Sequence, residues 1–110
     1  MTRIAPRKML QTAVVFEDEF GEDFLYFTSS NISTSGIFVQ TRLSFAPGTK
    51  VFLKFPLFVG DPPIRVAGEI MRQHTQRRGP GRKKQVTPGV GIKFLGLSQE
   101  DFIRIEKLSF

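Results

Sequence analysis

The chain has 110 residues, enough for one domain with a single small core, and its 40% hydrophobic and 24% charged content is that of an ordinary globular protein. With no Cys and one His, it excludes disulfides, thiolate metal sites, thiol nucleophiles and any cluster of histidines. The formal charge of +6 is local: Arg77, Arg78, Arg82, Lys83 and Lys84 supply five of it, so the rest of the chain is close to neutral and lacks the uniformly basic surface that tracks a phosphate backbone.

Short apolar runs separated by turn residues at fairly regular spacing predict an all-β barrel or sandwich. The first run is Leu10 to Phe16, with Leu10, Val14 and Phe16 on one face, and the acidic stretch Glu17 to Asp23, containing Gly21, is a hairpin loop. Phe24 to Ser30 and Gly36 to Thr41 follow as strands, with Asn31 to Ser35 between them. Phe45-Ala46-Pro47-Gly48 fits a type II turn, Pro presetting φ and Gly supplying the positive φ after it. In Lys50 to Phe55, Val51, Leu53 and Phe55 alternate with Lys50, Phe52 and Lys54. A Pro- and Gly-rich loop leads to Ile64 through His74, where Val66, Gly68 and Ile70 alternate with Arg65, Ala67 and Glu69 as in a half-buried strand. The last strand, Gly89 to Leu95, sets Val90, Ile92 and Phe94 against Gly89, Gly91 and Lys93.

The period then changes. Ser98 and Asp101 have capping-box spacing, Leu97 and Phe102 stand where a hydrophobic staple would close, and Phe102, Ile105 and Leu108 form a helical apolar stripe. A helix this short is marginal alone, so it is expected to pack on the barrel. Twelve Phe, with no Trp and one Tyr, supply core material with no polar atom to satisfy, while Phe20 and Phe58 fall in loops and mark a possible protein-contact patch. The basic segment from Arg77 to Lys84 is a solvated hairpin tip or an electrostatic lure for an anion or partner.

Two motifs carry functional information. Arg3-Ile4-Ala5-Pro6-Arg7 is an RxxxR arm, and about two dozen residues later Asn31-Ile32-Ser33-Thr34-Ser35-Gly36 reads NxSxxG. In this order and ahead of strands, with Gly89-Val90-Gly91-Ile92-Lys93-Phe94 and a final helix at the end, the chain resembles the PilZ family over almost its whole length. The resemblance implies a six-stranded antiparallel β-barrel with a C-terminal α-helix, as one domain over residues 1–110: a flexible arm at 1–8, the barrel at 9–96 and the helix at 98–109. It also implies a receptor for cyclic di-GMP, with Arg3, Arg7, Asn31, Ser33 and Gly36 as ligand-binding residues. The implied logic is that the arm orders on the ligand and a partner protein reads the result, with outputs in motility, adhesion or polysaccharide production.

The chemistry of these residue types fits that implication. Guanine presents O6 and N7 as adjacent acceptors for an arginine fork, which can also pair with phosphate or stack on a purine. Asn31 offers both a donor and an acceptor, the Ser33 hydroxyl serves as either, and Gly36 permits an unusual backbone angle or the close approach of a flat base. The same residues also admit purely structural roles: an Asx-type turn at Asn31-x-Ser33, a bulge at Gly36, and a solvated terminus at Arg3 and Arg7.

Two other functions compete: a PilZ-like interaction module that ignores the nucleotide, and a barrel that binds single-stranded nucleic acid. Retention of both motifs argues against the first. The basic residues of the loop lack the interleaved aromatics that the second requires. No nucleophile, metal set or carboxylate pair emerges, so neither catalysis nor a cofactor is expected, and the lone His74 is read as a surface residue. With no signal peptide and no apolar stretch long enough to span a bilayer, the expectation is a cytoplasmic protein without membrane insertion.

Overall fold

The alternating apolar positions of the sequence turn inward together. A computed structural model of the chain describes residues 6–78 and 85–108. Its elements are β1 (Lys8–Met9), β2 (Ala13–Glu17), β3 (Asp23–Ile32), β4 (Gly36–Gln40), β5 (Lys50–Phe55), β6 (Ile64–Arg78), β7 (Gln85–Leu95) and α1 (Gln99–Glu106). Every strand pairing is antiparallel. The strands run β3-β2-β5-β6-β7-β4, and β4 pairs back onto β3, so six strands close a barrel as expected. Short β1 adds to β3 on the side where β2 leaves off, with Lys8 opposite Ile32 and Ala13 opposite Thr28.

Closure removes the sheet edges and gives each strand one dry face. Val14, Phe16, Ile37, Val39, Leu53, Phe55, Ile70, Val90 and Ile92 are all within 2% of complete burial, in one cluster with Ile105 of α1 and Leu108 just beyond it. Phe16 is the aromatic hub at one end. Its ring meets Phe27 edge-on at 4.8 Å and Phe45 at 5.8 Å, while Phe55 stacks on Phe94 at 5.9 Å.

Several boundaries differ from the sequence reading. The run Leu10 to Phe16 is interrupted: Leu10, Val14 and Phe16 are buried as expected, but residues 10–12 leave the ladder between β1 and β2. There Leu10 N–H still donates to the Ser30 carbonyl and Ser29 N–H to the Thr12 carbonyl, and between them the Ser29 hydroxyl accepts from Thr12 N–H (3.1 Å) and donates to the Leu10 carbonyl. Asn31 and Ile32 belong to β3 rather than to a connection, because both are paired with β1 and β4. The last two strands extend toward each other, so Arg77 and Arg78 lie in β6, while Gly79-Pro80-Gly81 and the charges Arg82, Lys83 and Lys84 fall outside the described residues. The turn at Pro47-Gly48 forms as expected, with Gly48 at φ 90° and Thr49 N–H donating to the Ala46 carbonyl.

Ser98 caps α1 by accepting from Asp101 N–H at 3.1 Å. The helix stops at Glu106, short of the expected end, and of its predicted stripe Ile105 and Leu108 are buried while Phe102 is 40% exposed. Its C-terminal end is tied across the molecule: Lys8 Nζ donates to the carbonyls of Ile105 (3.2 Å) and Glu106 (2.6 Å), where the helix dipole favours a cation. None of the described helices is long and apolar enough to cross a membrane.

Phe16→Ala is expected to cost about 3–5 kcal/mol of stability, because it empties the aromatic hub. Phe20→Ala, at a side chain 81% exposed, should stay within about 0.5 kcal/mol. Urea unfolding midpoints of the two variants measure the difference, and equal midpoints would contradict this description of the core.

Candidate functional site

The β3–β4 connection fixes where the NxSxxG residues go. Ser33 N–H donates to the Gly36 carbonyl (2.8 Å), and the Ser33 hydroxyl accepts from Ser35 N–H (3.1 Å) while lying 2.8 Å from the Ser35 hydroxyl. This is side-chain turn chemistry of the kind serine supplies. Ser33 is 1% exposed, so its hydroxyl holds the turn from within and Ser35 is the serine that meets solvent.

Gly36 opens β4 and stands opposite Lys93 of β7. It does not adopt a positive φ, and the register through it is regular, so neither an unusual backbone angle nor a bulge accounts for it. The bulge lies instead in β3, between Ser29 and Asn31. What Gly36 provides is close approach: a Cβ there would collide with the carbonyl oxygen of Ile92 and stand 3.3 Å from the Lys93 Cα.

On the outer face, cross-strand register sets two rows side by side. Met9, Asn31, Phe38 and Gly91 make one, and Gly36, Lys93 and Glu69 make the other. Neighbours in such rows have side-chain roots about 5 Å apart. Arg7, immediately before β1, reaches over the second row and donates from Nη1 to the Gly36 carbonyl at 3.2 Å. Its side chain stays open to solvent, yet partial desolvation of the guanidinium draws its pKa below the usual arginine value. One bond to Gly36 leaves most of the five guanidinium N–H donors available.

Asn31 carries an unmet demand. Its amide nitrogen donates to the Ser30 hydroxyl at a long 3.4 Å, and its Oδ1 is buried with no hydrogen-bond partner among the described residues. Such an acceptor costs about 1–3 kcal/mol when left unsatisfied. An unmet buried group of this kind calls for a specific explanation, such as a ligand or ordered water.

Beside these residues the surface sinks into an open depression of about 390 Å³, lined by Arg7, Ser35, Gly36, Met71, Gly91 and Lys93. Of the sequence-predicted residues, the fold therefore gathers Arg7, Asn31 and Gly36 around one patch and sets Ser33 beneath it; Arg3 and the rest of the arm lie outside the described residues. Beyond Arg7 and Gly36, the lining residues Ser35, Met71, Gly91, Ile92 and Lys93 were not predicted as site residues. The strand alternation had marked Lys93 as outward-facing, but nothing local signals its place across from Gly36. Phe20 and Phe58 are exposed, at 81% and 59%. No group of three or more His, Cys, Asp or Glu is placed to hold a metal among the described residues.

A family model for the PilZ domain matches residues 2–110. The fold is similar to the PilZ domain with c-di-GMP of YcgR from Escherichia coli, with a TM-score of 0.70 and 11% identity over 96% of this chain and 87% of that one. It is also similar to the Bacillus subtilis inhibitor of motility MotI/DgrA (TM-score 0.70, 20% identity, 96% of this chain and 47% of that one). A further likeness is to the K. pneumonia MrkH–c-di-GMP complex (TM-score 0.69, 16% identity, 97% of this chain and 50% of that one). The chain thus spans about half the length of the latter two. No curated protein matches it significantly.

Gly36→Ala is expected to destabilise the barrel by about 1–3 kcal/mol, because the added methyl meets backbone rather than a side chain that can swing away. Chemical denaturation measures the loss, and an unchanged midpoint would contradict close approach as the reason for glycine.

Proposed function

The chain belongs to the PilZ domain family, and on that premise we propose that it is a receptor for cyclic di-GMP that binds the nucleotide on its outer face over the start of β4. The observation that carries this reading is the buried Asn31 Oδ1, without a hydrogen-bond partner among the described residues, on the same patch as Arg7. Guanine offers ring and amino N–H donors on its Watson–Crick edge, which satisfy such an acceptor. Its O6 and N7 suit an arginine fork. A phosphate suits the same guanidinium equally well. Asn31 recognises the base edge, Arg7 holds the anionic or acceptor side of the ligand, Gly36 keeps the surface low where the ligand lies, and Ser33 fixes the turn that presents them.

The mechanism is binding and rearrangement without bond chemistry. Arg7 is already docked on the Gly36 carbonyl, and Lys8 anchors the chain behind it to the end of α1, so the point where the arm joins the barrel is set before the ligand arrives. The ligand supplies counter-charge for Arg7 and Arg3, the arm settles over it, and a partner protein reads the altered surface. Ordering a short segment costs about 1–2 kcal/mol per residue in backbone entropy. Several charge-assisted hydrogen bonds offset that cost.

Calorimetric titration tests the reading. Cyclic di-GMP is expected to bind and GMP to bind far more weakly. Arg7→Ala and Asn31→Ala should each lose about 1–3 kcal/mol of binding free energy without unfolding the barrel. No heat from the wild-type protein at high micromolar cyclic di-GMP and low salt would overturn the receptor reading, and undiminished binding by Arg7→Ala would overturn the role of the arm.

A further inference from the structure

We propose that Lys93, a residue outside both sequence motifs, is the second phosphate-holding cation of this site, and that Met71 forms the apolar wall beside it; this rests on the cyclic di-GMP reading above. The observations begin with register. Lys93 is the direct cross-strand partner of Gly36, and its Cα stands 3.3 Å from where a Gly36 Cβ would be. Any ligand lying on Gly36 therefore lies against Lys93. The depression there holds two cationic side chains, Arg7 and Lys93, with Gly36 among its other lining residues.

Charge accounting sharpens the assignment. Lys93 is solvent-exposed and makes no salt bridge among the described residues, although Glu69 is its register partner on β6. Elsewhere on the barrel wall Lys54 is paired with Asp23 at 3.0 Å and Arg65 approaches Glu17 at 3.9 Å, whereas Lys50 of β5, the other register partner of Glu69, is exposed and without a salt bridge among the described residues but does not line the depression. Lys93 is left with three ammonium donors beside a cavity whose other cation is already oriented by the backbone. Glu69, opposite it, disfavours an anion lying further toward β6, so an anionic group is drawn to the Gly36 side of the lysine.

Met71 is 43% exposed and lines the same depression. A flexible, polarizable thioether makes favourable contact with aromatic faces, and a purine supplies one. The volume of about 390 Å³ sits at the small end of the range for ligand pockets, so it takes one part of a dinucleotide while the remainder extends toward Asn31.

Two phosphates held by two cations have a consequence for specificity. A mononucleotide engages either Arg7 or Lys93, whereas a cyclic dinucleotide engages both at once. Lys93 therefore contributes more to cyclic di-GMP affinity than to GMP affinity. Its role is local contact rather than long-range steering, which fixes how its removal depends on salt.

The test is titration of wild-type, Lys93→Ala, Lys93→Arg and Met71→Ala proteins with cyclic di-GMP and GMP, at low and moderate salt, with thermal melts to establish folding. Lys93→Ala is expected to weaken cyclic di-GMP about tenfold, the scale of one charge-assisted hydrogen bond. The loss should persist at the higher salt and be smaller for GMP. Lys93→Arg should bind within about threefold of wild type, and Met71→Ala should weaken binding a few-fold while leaving the salt dependence unchanged. Folded Lys93→Ala that binds as wild type, or whose deficit vanishes with salt, overturns the assignment of Lys93. Loss through Asn31→Ala with Lys93→Ala unaffected confines the failure to this inference, whereas a wild-type protein that does not bind at all overturns the site reading beneath it.

Discussion

The narrow seam between β4 and β7 is the constraint on which the rest of this molecule depends. Two glycines make it possible from opposite strands. A Cβ on Gly36 would strike the Ile92 carbonyl, and a Cβ on Gly89 would strike the Val39 carbonyl and the ring of Phe38. With those atoms absent, β4 lies in full register along β7 from Gly36–Lys93 to Gln40–Gly89 and still pairs with β3 on its other edge. Ile37 and Val39 then reach the interior, and the ring of strands closes. A strand of five residues has little length to spare. Losing its first pair would detach the turn that follows β3.

The candidate site is the outer surface of that seam. Closure of the barrel brings Asn31 of β3, Gly36 of β4 and Lys93 of β7 onto neighbouring positions. β1 extends the β2 side of β3 and delivers Arg7 to the Gly36 carbonyl. The same two-residue strand carries Lys8, whose ammonium ties it to the last carbonyls of α1. Arg7, the sheet and the helix thus meet within a few residues, and an anion bound at Arg7 would sit next to the joint that connects β1 to the helix. The polar groups inside this junction are satisfied by one another, as with Ser29 between Leu10 and Thr12, while the Asn31 oxygen faces an unmet partner. On the proposed function, that difference is what marks the Asn31 oxygen as the group a ligand would satisfy.

Strand alternation made much of this fold legible. Lys50–Phe55 matched in both bounds and facing, and Ser98 capped the helix as its spacing required. Local signals failed where the partners are distant. Asn31 and Ile32 look like the start of a connection, yet they are the paired end of a ten-residue strand, held in register by Met9 and Lys8 on one side and Phe38 and Ile37 on the other. Lys8 and Met9 carry no alternation of their own and become a strand because β3 offers an open length of edge. At the site, the motif spacing pointed to Arg7, Asn31 and Gly36 but not to what surrounds them. The Ser33 hydroxyl lies buried within the turn and bonded to Ser35, a placement the motif does not reveal, and Lys93 arrives from another strand through a register no short motif encodes.

The central claim is that the ligand lies on the outer face of the β3–β4–β7 seam, and backbone and side-chain amide NMR during a cyclic di-GMP titration tests it most directly. The account predicts that the largest shifts fall on the Asn31 side-chain amide and on the backbone amides of Ser35, Gly36, Gly91 and Lys93, with little change around the second depression beside Glu17, Phe52 and Arg65 on the other wall. Shifts concentrated at that second depression, with Asn31 and Gly36 unmoved at saturation, would contradict it.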